Sequence, residues 1–391
     1  MTVLVTGADG YIGWPTALRI ADRTHQRVIL TDNFARRRWV QQSGGVSATD
    51  IVGMDERLTA AKDSLSLSNL SFVEGDLVDR EFVAELLNVH EPQTVVHAAA
   101  QPSPEYSQIN GERANYTQHN NLQATRNLLF GLHEHGLADT HFIETTTTGI
   151  YGAPTFPIPE GGAVMENQGD RDEVPFPGMA GSWYHLTKCH DAANIRLANT
   201  QFGLPISDVR TAIVYGASTG ETRADDRLAT RLDFEYYFGT VANRFCAQAV
   251  AGYPVTVYGQ GEQRKPFVSL EDTVEGLAQL ALVDPEERPD PLTVYNQVTR
   301  SISIVEIAQT IADVAAEYGI DASVEHFENP RDEDETHKME IENQKYDTLI
   351  GGQSVSFESG MRDMLDVMTE RSGLVTAHDD LFLPSVLESE R

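Results

Sequence analysis

Tyr184 and Lys188 stand four residues apart in a segment of helical periodicity, so both side chains project from one face. A phenol near pKa 10 is a poor base at neutral pH. An ammonium beside it stabilises the phenolate, which can then take a proton from a substrate hydroxyl while hydride leaves the same carbon. Thr147 ends the run THFIETTT, upstream of Tyr151-Gly152, and offers a second hydroxyl for that proton. The chain has only five lysines (Lys62, Lys188, Lys265, Lys338 and Lys345), so a lysine at this spacing is informative. His185 and His119 are candidate additional acids or bases, although a single histidine more often serves a structural hydrogen bond.

A hydride needs an acceptor, and the N-terminus predicts one. Gly7, Gly10 and Gly13 read G-A-D-G-Y-I-G, with Tyr11 and Ile12 inside the motif, between a short β-branched run and a helical pattern. Glycine there permits a sharp turn and close approach of a pyrophosphate, while the helix start offers unpaired N–H groups and a positive dipole end. The spacing G-x-x-G-x-x-G differs from the commoner G-x-G-x-x-G. Asp32 ends the next strand, 19 residues after Gly13, where a carboxylate accepts both hydroxyls of an adenosine ribose and repels a 2′-phosphate. That predicts NAD rather than NADP, although Arg36, Arg37 and Arg38 follow and would suit such a phosphate. Asp76 and Leu77 are placed to meet the adenine, and Ala98, Ala99 and Ala100 are small enough to let the cofactor approach the backbone.

These residues require a scaffold that presents strand ends side by side. The runs TVLVT, RVILTD, LSFVEGD, QTVVHAAA, THFIETTT and ISDVRTAIVYG alternate with helical stretches such as EFVAELLNV, NNLQATRNLLFGLHEHG and YHLTKCHDAANIRLANT. That alternation predicts an α/β fold, a doubly wound parallel sheet of Rossmann type. The pattern changes after about residue 216. We therefore expect a cofactor-binding domain over 1–216, with 244–298 partly returning to it, and a smaller C-terminal substrate-binding lobe from 217–243 and 299–391. The strands VTVYG and LTVYNQ fit either lobe.

Composition bounds the partners. Twenty-nine Lys and Arg against 59 Asp and Glu give a net charge of −30, spread along the chain. Such a surface repels nucleic acid and anionic membranes, so neither is expected as a partner. With 40% hydrophobic residues the chain should still fold around an ordinary core. Strong acidity with few lysines suits concentrated salt, where a screening length of about 3 Å at 1 M removes most self-repulsion. Cys189 and Cys246 are read as free thiols. The start MTVLVTGADG lacks a basic signal-like region, and the expected location is cytoplasmic. No metal site is expected.

Taken together, the glycine motif, Asp32, the strand-end threonine and Y-x-x-x-K resemble the extended short-chain dehydrogenase/reductase family, which acts on nucleotide sugars. Longer segments are similar to its UDP-sulfoquinovose synthase branch: GADGYIGW (7–14), YTQHNN (116–121), SWYHLTKCHD (182–191), RLDFEYYFGTVANRFCAQA (231–249), VYNQVT (294–299), ENPRDEDETH (328–337) and LPSV (383–386). The resemblance implies UDP-glucose as substrate and tightly held NAD+. C4 would be oxidised transiently, water lost from C6 and sulfite added before re-reduction. It also implies cofactor contacts from Asn33, Arg36 and Asn121, and substrate contacts from Gln101, Thr147, Arg231, Asn243, Arg244, Lys265 and Arg331. Helices near 113–134 and 184–200 resemble a pair that dimerises in this family, so a homodimer is expected. Three departures stand out. Ile150 replaces a glutamate, Ala100-Gln101-Pro102-Ser103 lacks an arginine, and Arg210-Thr211 replaces Asn-Gln. They keep a UDP-glucose 4-epimerase as the alternative reading. A non-catalytic NAD sensor is a third, but it would have no use for Thr147, Tyr184 and Lys188.

Overall fold

The computed structural model describes residues 2–176, 178–288, 291–328 and 339–383. The chain opens with β1 (Thr2–Thr6), α1 (Gly13–Arg23), β2 (Arg27–Asp32), α2 (Ala35–Gln42), α3 (Met54–Leu65), β3 (Leu70–Glu74), α4 (Arg80–His90) and β4 (Thr94–His97). Then come the single turn α5 (Pro104–Ser107), the long α6 (Gly111–Glu134), β5 (His141–Thr147), an exposed antiparallel hairpin β6 (Gly162–Asn167) and β7 (Asp170–Pro175), α7 (Trp183–Phe202) and β8 (Ile206–Thr211). The second half carries β9 (Ile213–Tyr215), α8 (Val241–Ala251), β10 (Val255–Tyr258), β11 (Arg264–Ser269), α9 (Leu270–Leu282), β12 (Leu292–Gln297) and β13 (Arg300–Ser303). It ends with α10 (Ile304–Glu317), β14 (Val324–Phe327), α11 (Gln344–Ile350), α12 (Phe357–Glu370) and α13 (Ser372–Thr376).

Seven strands form one parallel sheet in the order β12-β8-β5-β4-β1-β2-β3. Successive residues of its strands bury on opposite faces. Val3, Val5, Val28 and Leu30 pack with α1, α3 and α9, whereas Leu4 and Ile29 pack with α4, α6 and α7. Strands apolar on both faces require helices on both, which is the doubly wound arrangement expected from the sequence. Strand order reverses between β1 and β4, and there the C-terminal strand ends open a crevice.

Local signals set the helix that carries the Tyr-Lys pair. Ser182 caps α7, its Oγ accepting the His185 N–H at 3.1 Å, and Gly203 at φ +77° ends it. Tyr184 is thereby placed in the first turn and Lys188 one turn deeper, against the sheet.

The second core joins Phe245 and Cys246 of α8, Val255 and Val257 of β10, Ile307 and Ile311 of α10, and Met361, Met364 and Met368 of α12. The VTVYG run forms β10, which pairs with β14 in this lobe, whereas the LTVYNQ run forms β12, an edge of the main sheet. β11 pairs with β9 and β13 between the lobes. The chain passes back and forth. After α8 and β10 it returns through α9 and β12, leaves through α10, and returns once more as α11, whose Tyr346 is buried in the first core.

Candidate active site

One cleft of about 1280 Å³ follows the strand ends and is faced by both lobes. Its floor is the glycine loop. Gly7 has φ +70°, and a Cβ there would stand 2.7 Å from the backbone of Ala98 and Ala99. A Cβ on Gly13 would stand 2.2 Å from the Gly7 carbonyl oxygen, so glycine is what lets β1, β4 and α1 meet. No side chain caps α1, which leaves first-turn N–H groups for a phosphate. The Tyr11 hydroxyl donates to the Gly216 carbonyl at 2.5 Å, tying this loop to the end of β9.

Asp32 sits at the tip of β2. Its Oδ2 accepts the Asp9 N–H at 2.9 Å and its Oδ1 the Phe34 N–H at 2.6 Å, and each oxygen keeps a lone pair for a ribose hydroxyl. Burial pushes its carboxyl up to about 6, against the opposing backbone N–H of Asp9. The three following arginines turn to other partners. Arg37 is paired with the buried Asp9 at 2.6 Å, Arg36 with Asp233 at 2.8 Å, and Arg38 donates to the Asn33 carbonyl at 2.8 Å. Arg36 also lies 4.2 Å over the Phe238 ring and borders the cleft; its Nε and Nη2 serve Asp233, whereas its Nη1 has no hydrogen-bond partner among the described residues. A carboxylate that keeps lone pairs for the ribose hydroxyls fits NAD. Asn33, Asp76, Leu77, Ala98 and Ala99 line the same half, with Ile12 and Gly10.

Thr147, Tyr184 and His185 line the next part of the cleft. The Thr147 Oγ1 accepts the Gly149 N–H at 3.1 Å, and the Tyr184 backbone N–H donates to Ser107 Oγ at 3.2 Å. The His185 Nδ1 lies 3.1 Å from Ser182 Oγ, and its ring occupies the space a side chain at Gly149 would fill, 2.3 Å from a Cβ there. Burial, with Lys265 adding to it, pushes the imidazole down to about 4, so His185 is neutral at pH 7. Lys188 is buried beneath. Its Nζ donates to Glu144 Oε1 at 3.1 Å and lies 3.8 Å from Asp191. Burial alone would lower this ammonium, and the two carboxylates more than offset it, holding it above its usual range. The expected lowering of Tyr184 by Lys188 is corrected in part. Burial raises the phenol first, Lys188 opposes, and Asp191 and Glu144 add to the rise.

Arg244 and Lys265 face the cleft from the second lobe with Tyr236, Tyr237 and Thr240. Arg244 donates to the Gly239 carbonyl at 2.9 Å, which aims its fork along the 236–240 segment.

Several expected contacts are corrected. Gln101 is buried and braces its own loop through the Ser103 backbone at 3.2 Å. Asn121 clamps that loop, accepting the Gln101 N–H at 2.8 Å and donating to Thr187 at 3.0 Å, so it positions the cofactor floor without lining it. Arg231 turns inward to Asp233 at 2.8 Å, and Asn243 donates to the Asp233 carbonyl at 2.8 Å. His119 is exposed on α6, away from the cleft. Arg331 lies outside the described residues. Ile150 is buried among Tyr151, Ile158, Phe176 and Met339, so the departure there changes an apolar cluster and not a cleft wall. Tyr236 and Tyr237, and Ser103 with α5, are lining elements that the sequence reading passed over; the signal was the aromatic pair just before the Thr240 cap of α8. Among the described residues no group of three His, Cys, Asp or Glu side chains could hold a metal, and no helix is long and apolar enough to cross a membrane.

A family model described as the NAD dependent epimerase/dehydratase family matches residues 3–296. The chain is 37% identical over 335 residues to the chloroplastic UDP-sulfoquinovose synthase of Spinacia oleracea, covering 86% of this chain and 68% of that one. It is 37% identical over 338 residues to the UDP-sulfoquinovose synthase of Sulfolobus acidocaldarius, covering 86% and 84%. The UDP-glucose 4-epimerase of Bifidobacterium longum, solved with NAD+ and UDP, matches in fold with a TM-score of 0.71 at 18% identity over 95% of this chain and 98% of that one.

Proposed function

The chain belongs to the NAD dependent epimerase/dehydratase family, and from that premise we propose that it converts UDP-glucose, by transient oxidation at C4, into a sugar sulfonated at C6. It is an NAD-dependent nucleotide-sugar enzyme. The observation that carries the reading is the single cleft in which the glycine loop and Asp32 meet Thr147 and Tyr184, with Arg244 and Lys265 opposite.

NAD, when bound, supplies reversible uptake of a hydrogen with its electron pair from the sugar carbon. The chain supplies the rest. The α1 N-terminus takes the pyrophosphate and Asp32 the ribose. Tyr184 Oη accepts the C4 hydroxyl proton and Thr147 Oγ1 holds that hydroxyl in line. Arg244, with its bidentate fork, and Lys265 bind the nucleotide diphosphate. The C4 ketone acidifies the neighbouring C5–H, and neutral His185 takes that proton and passes it to the departing C6 hydroxyl, which leaves as water and gives a C5–C6 double bond. The sulfur of bisulfite then bonds to C6, the bisulfite proton goes to C5, and re-reduction of C4, with the proton held by Tyr184 returning to the C4 oxygen, restores the hydroxyl. The net change is exchange of a C6 hydroxyl for a sulfonate.

The second reading, a 4-epimerase, is favoured by the neutral Ala100 and Pro102 at the cleft wall. Enzyme incubated with NAD+ and UDP-glucose, with and without sulfite, separates them by chromatography that resolves the two C4 epimers, followed by mass spectrometry. A sulfonated nucleotide sugar formed only with sulfite is expected. UDP-galactose formed without sulfite would establish the second reading in its place.

The assembly we propose is a homodimer through α6 and α7. Tyr116, Phe130, Trp183 and Leu197 are exposed apolar side chains on that packed pair. Light scattering in molar salt is expected to give twice the 43.1 kDa chain mass, and a monomer there refutes the arrangement.

A further inference from the structure

The central sheet is apolar along most of its length, yet one glutamate stands in the middle of a buried parallel strand. Glu144 of β5 has no exposed surface. Its Oε1 accepts from Lys188 Nζ at 3.1 Å, and its Oε2 has no hydrogen-bond partner among the described residues. Asp191, three residues after Lys188 on α7, lies 3.8 Å from the same ammonium and is also fully buried. Two carboxyls therefore flank one ammonium directly behind the Tyr184 end of the cleft. We propose that Glu144 is a positioning residue for the reaction: it anchors Lys188 from within the sheet and tempers the positive charge that Tyr184 feels. The proposal deepens the reading above and rests on it for the role of Tyr184.

The charge balance supports this. With all three groups ionised, the site would bury one excess negative charge, which is costly in a low-dielectric interior. One proton shared between Glu144 and Asp191 removes the excess. In keeping with that, burial pushes both the Glu144 and the Asp191 carboxyls above their usual range, with Lys188 opposing each rise. The remaining groups around the site are already committed. Asp208 of β8 accepts from Arg210 at 2.9 Å, and His97 of β4, held neutral by burial, bonds Thr6 at 2.7 Å. Arg126 of α6 is exposed. Among the described residues, Glu144 and Asp191 are thus the groups placed to change the charge next to Lys188. When their shared proton leaves, the added negative charge opposes ionisation of Tyr184.

The sign of the test follows. Glu144→Gln keeps a hydrogen-bond acceptor for Lys188 but removes the charge. Asp191 then balances the ammonium alone, and Tyr184 ionises more easily. The tyrosinate absorbance of each protein, taken as a difference from its Tyr184→Phe counterpart, should show a titration midpoint about one pH unit lower in Glu144→Gln than in the parent. The acid limb of first-turnover reduction of bound NAD+ by UDP-glucose should move down by the same amount. The shift should persist in molar salt, because a buried pair is poorly screened. Glu144→Asp should restore the parental midpoint, which a merely structural role would not require. Asp191→Asn should shift the midpoint in the same direction by less, and it carries the test alone where Glu144→Gln does not fold. Unchanged midpoints in variants that melt like the parent overturn the proposal. A shifted tyrosinate midpoint without any sugar-driven reduction would leave the role of Glu144 standing and count against the proposed substrate.

Discussion

Tyr184→Phe is expected to lower turnover about 10³-fold, within the range for loss of a positioned general base, while NAD stays bound. The substitution removes one oxygen. The ring keeps its place beside His185, 5.2 Å between centres, and the backbone keeps its bond to Ser107, so melting should change little. What is lost is the acceptor for the C4 hydroxyl proton, and Thr147, a hydroxyl with no depressed proton affinity, is a poor replacement. The pH dependence carries a definite sign. Burial raises the Tyr184 phenol, so parental activity should climb with pH as the phenolate forms. The variant should lack that rise. Turnover from neutral to alkaline pH, measured with the cofactor content of each preparation, checks both statements. Parental turnover in Tyr184→Phe would remove the proposed chemistry altogether.

The second large effect concerns stability. Asp9→Ala is expected to cost about 3–5 kcal/mol in denaturant unfolding, the range for breaking a buried ion pair. Asp9 lies within the glycine motif but faces the protein. It is buried against Arg57, which has no exposed surface and donates to it at 3.0 Å, and it pairs with Arg37 at 2.6 Å. Burial already lowers Arg57 to about 10, and Asp9 is the foremost group opposing that fall. Without the carboxylate, Arg57 keeps only the Ala229 carbonyl at 2.9 Å and the face of Trp14 at 4.2 Å. The Asp9→Ala, Arg57→Met double variant should recover most of the loss, since an apolar pair of similar volume replaces a buried ion pair at little cost. A double variant no more stable than the single one would show that the loop itself, not the stranded guanidinium, sets the cost. The backbone N–H at position 9, which donates to Asp32, is kept by alanine, so NAD affinity should change much less than stability.

Legibility in the sequence divided along one physical line. Where the signal is local, it was readable: glycines closing a strand-to-helix turn, a carboxylate ending the next strand, a tyrosine and a lysine one helical turn apart. The sheet was readable too, because strands covered on both faces, β1, β2 and β4 above all, read as short apolar runs. What was not readable depends on partners far apart in the chain. Residue type declares that Asn121, Gln101, Arg231 and Asn243 can hydrogen-bond, but not whether they face the cleft or the protein. Arg36 looks like a phosphate ligand until Asp233, 197 positions away, takes it. Glu144 is one of five polar residues in the seven of β5, so its letter does not stand out, although a carboxylate buried in a parallel strand is itself a signal that some cation lies close by.

The repeated passage of the chain between its lobes has a kinetic meaning. A fold sewn through the seam in this way has no single hinge. For it to gape far enough for a dinucleotide to leave, the links before α8, at β11, after β12 and after α11 would have to bend together. A nucleotide sugar entering beside Arg244 and Lys265 asks for much less. The proposed reaction returns its hydrogen in every cycle and needs no exchange of the oxidant; under that proposal the stitching suits a dinucleotide that stays while the sugar comes and goes.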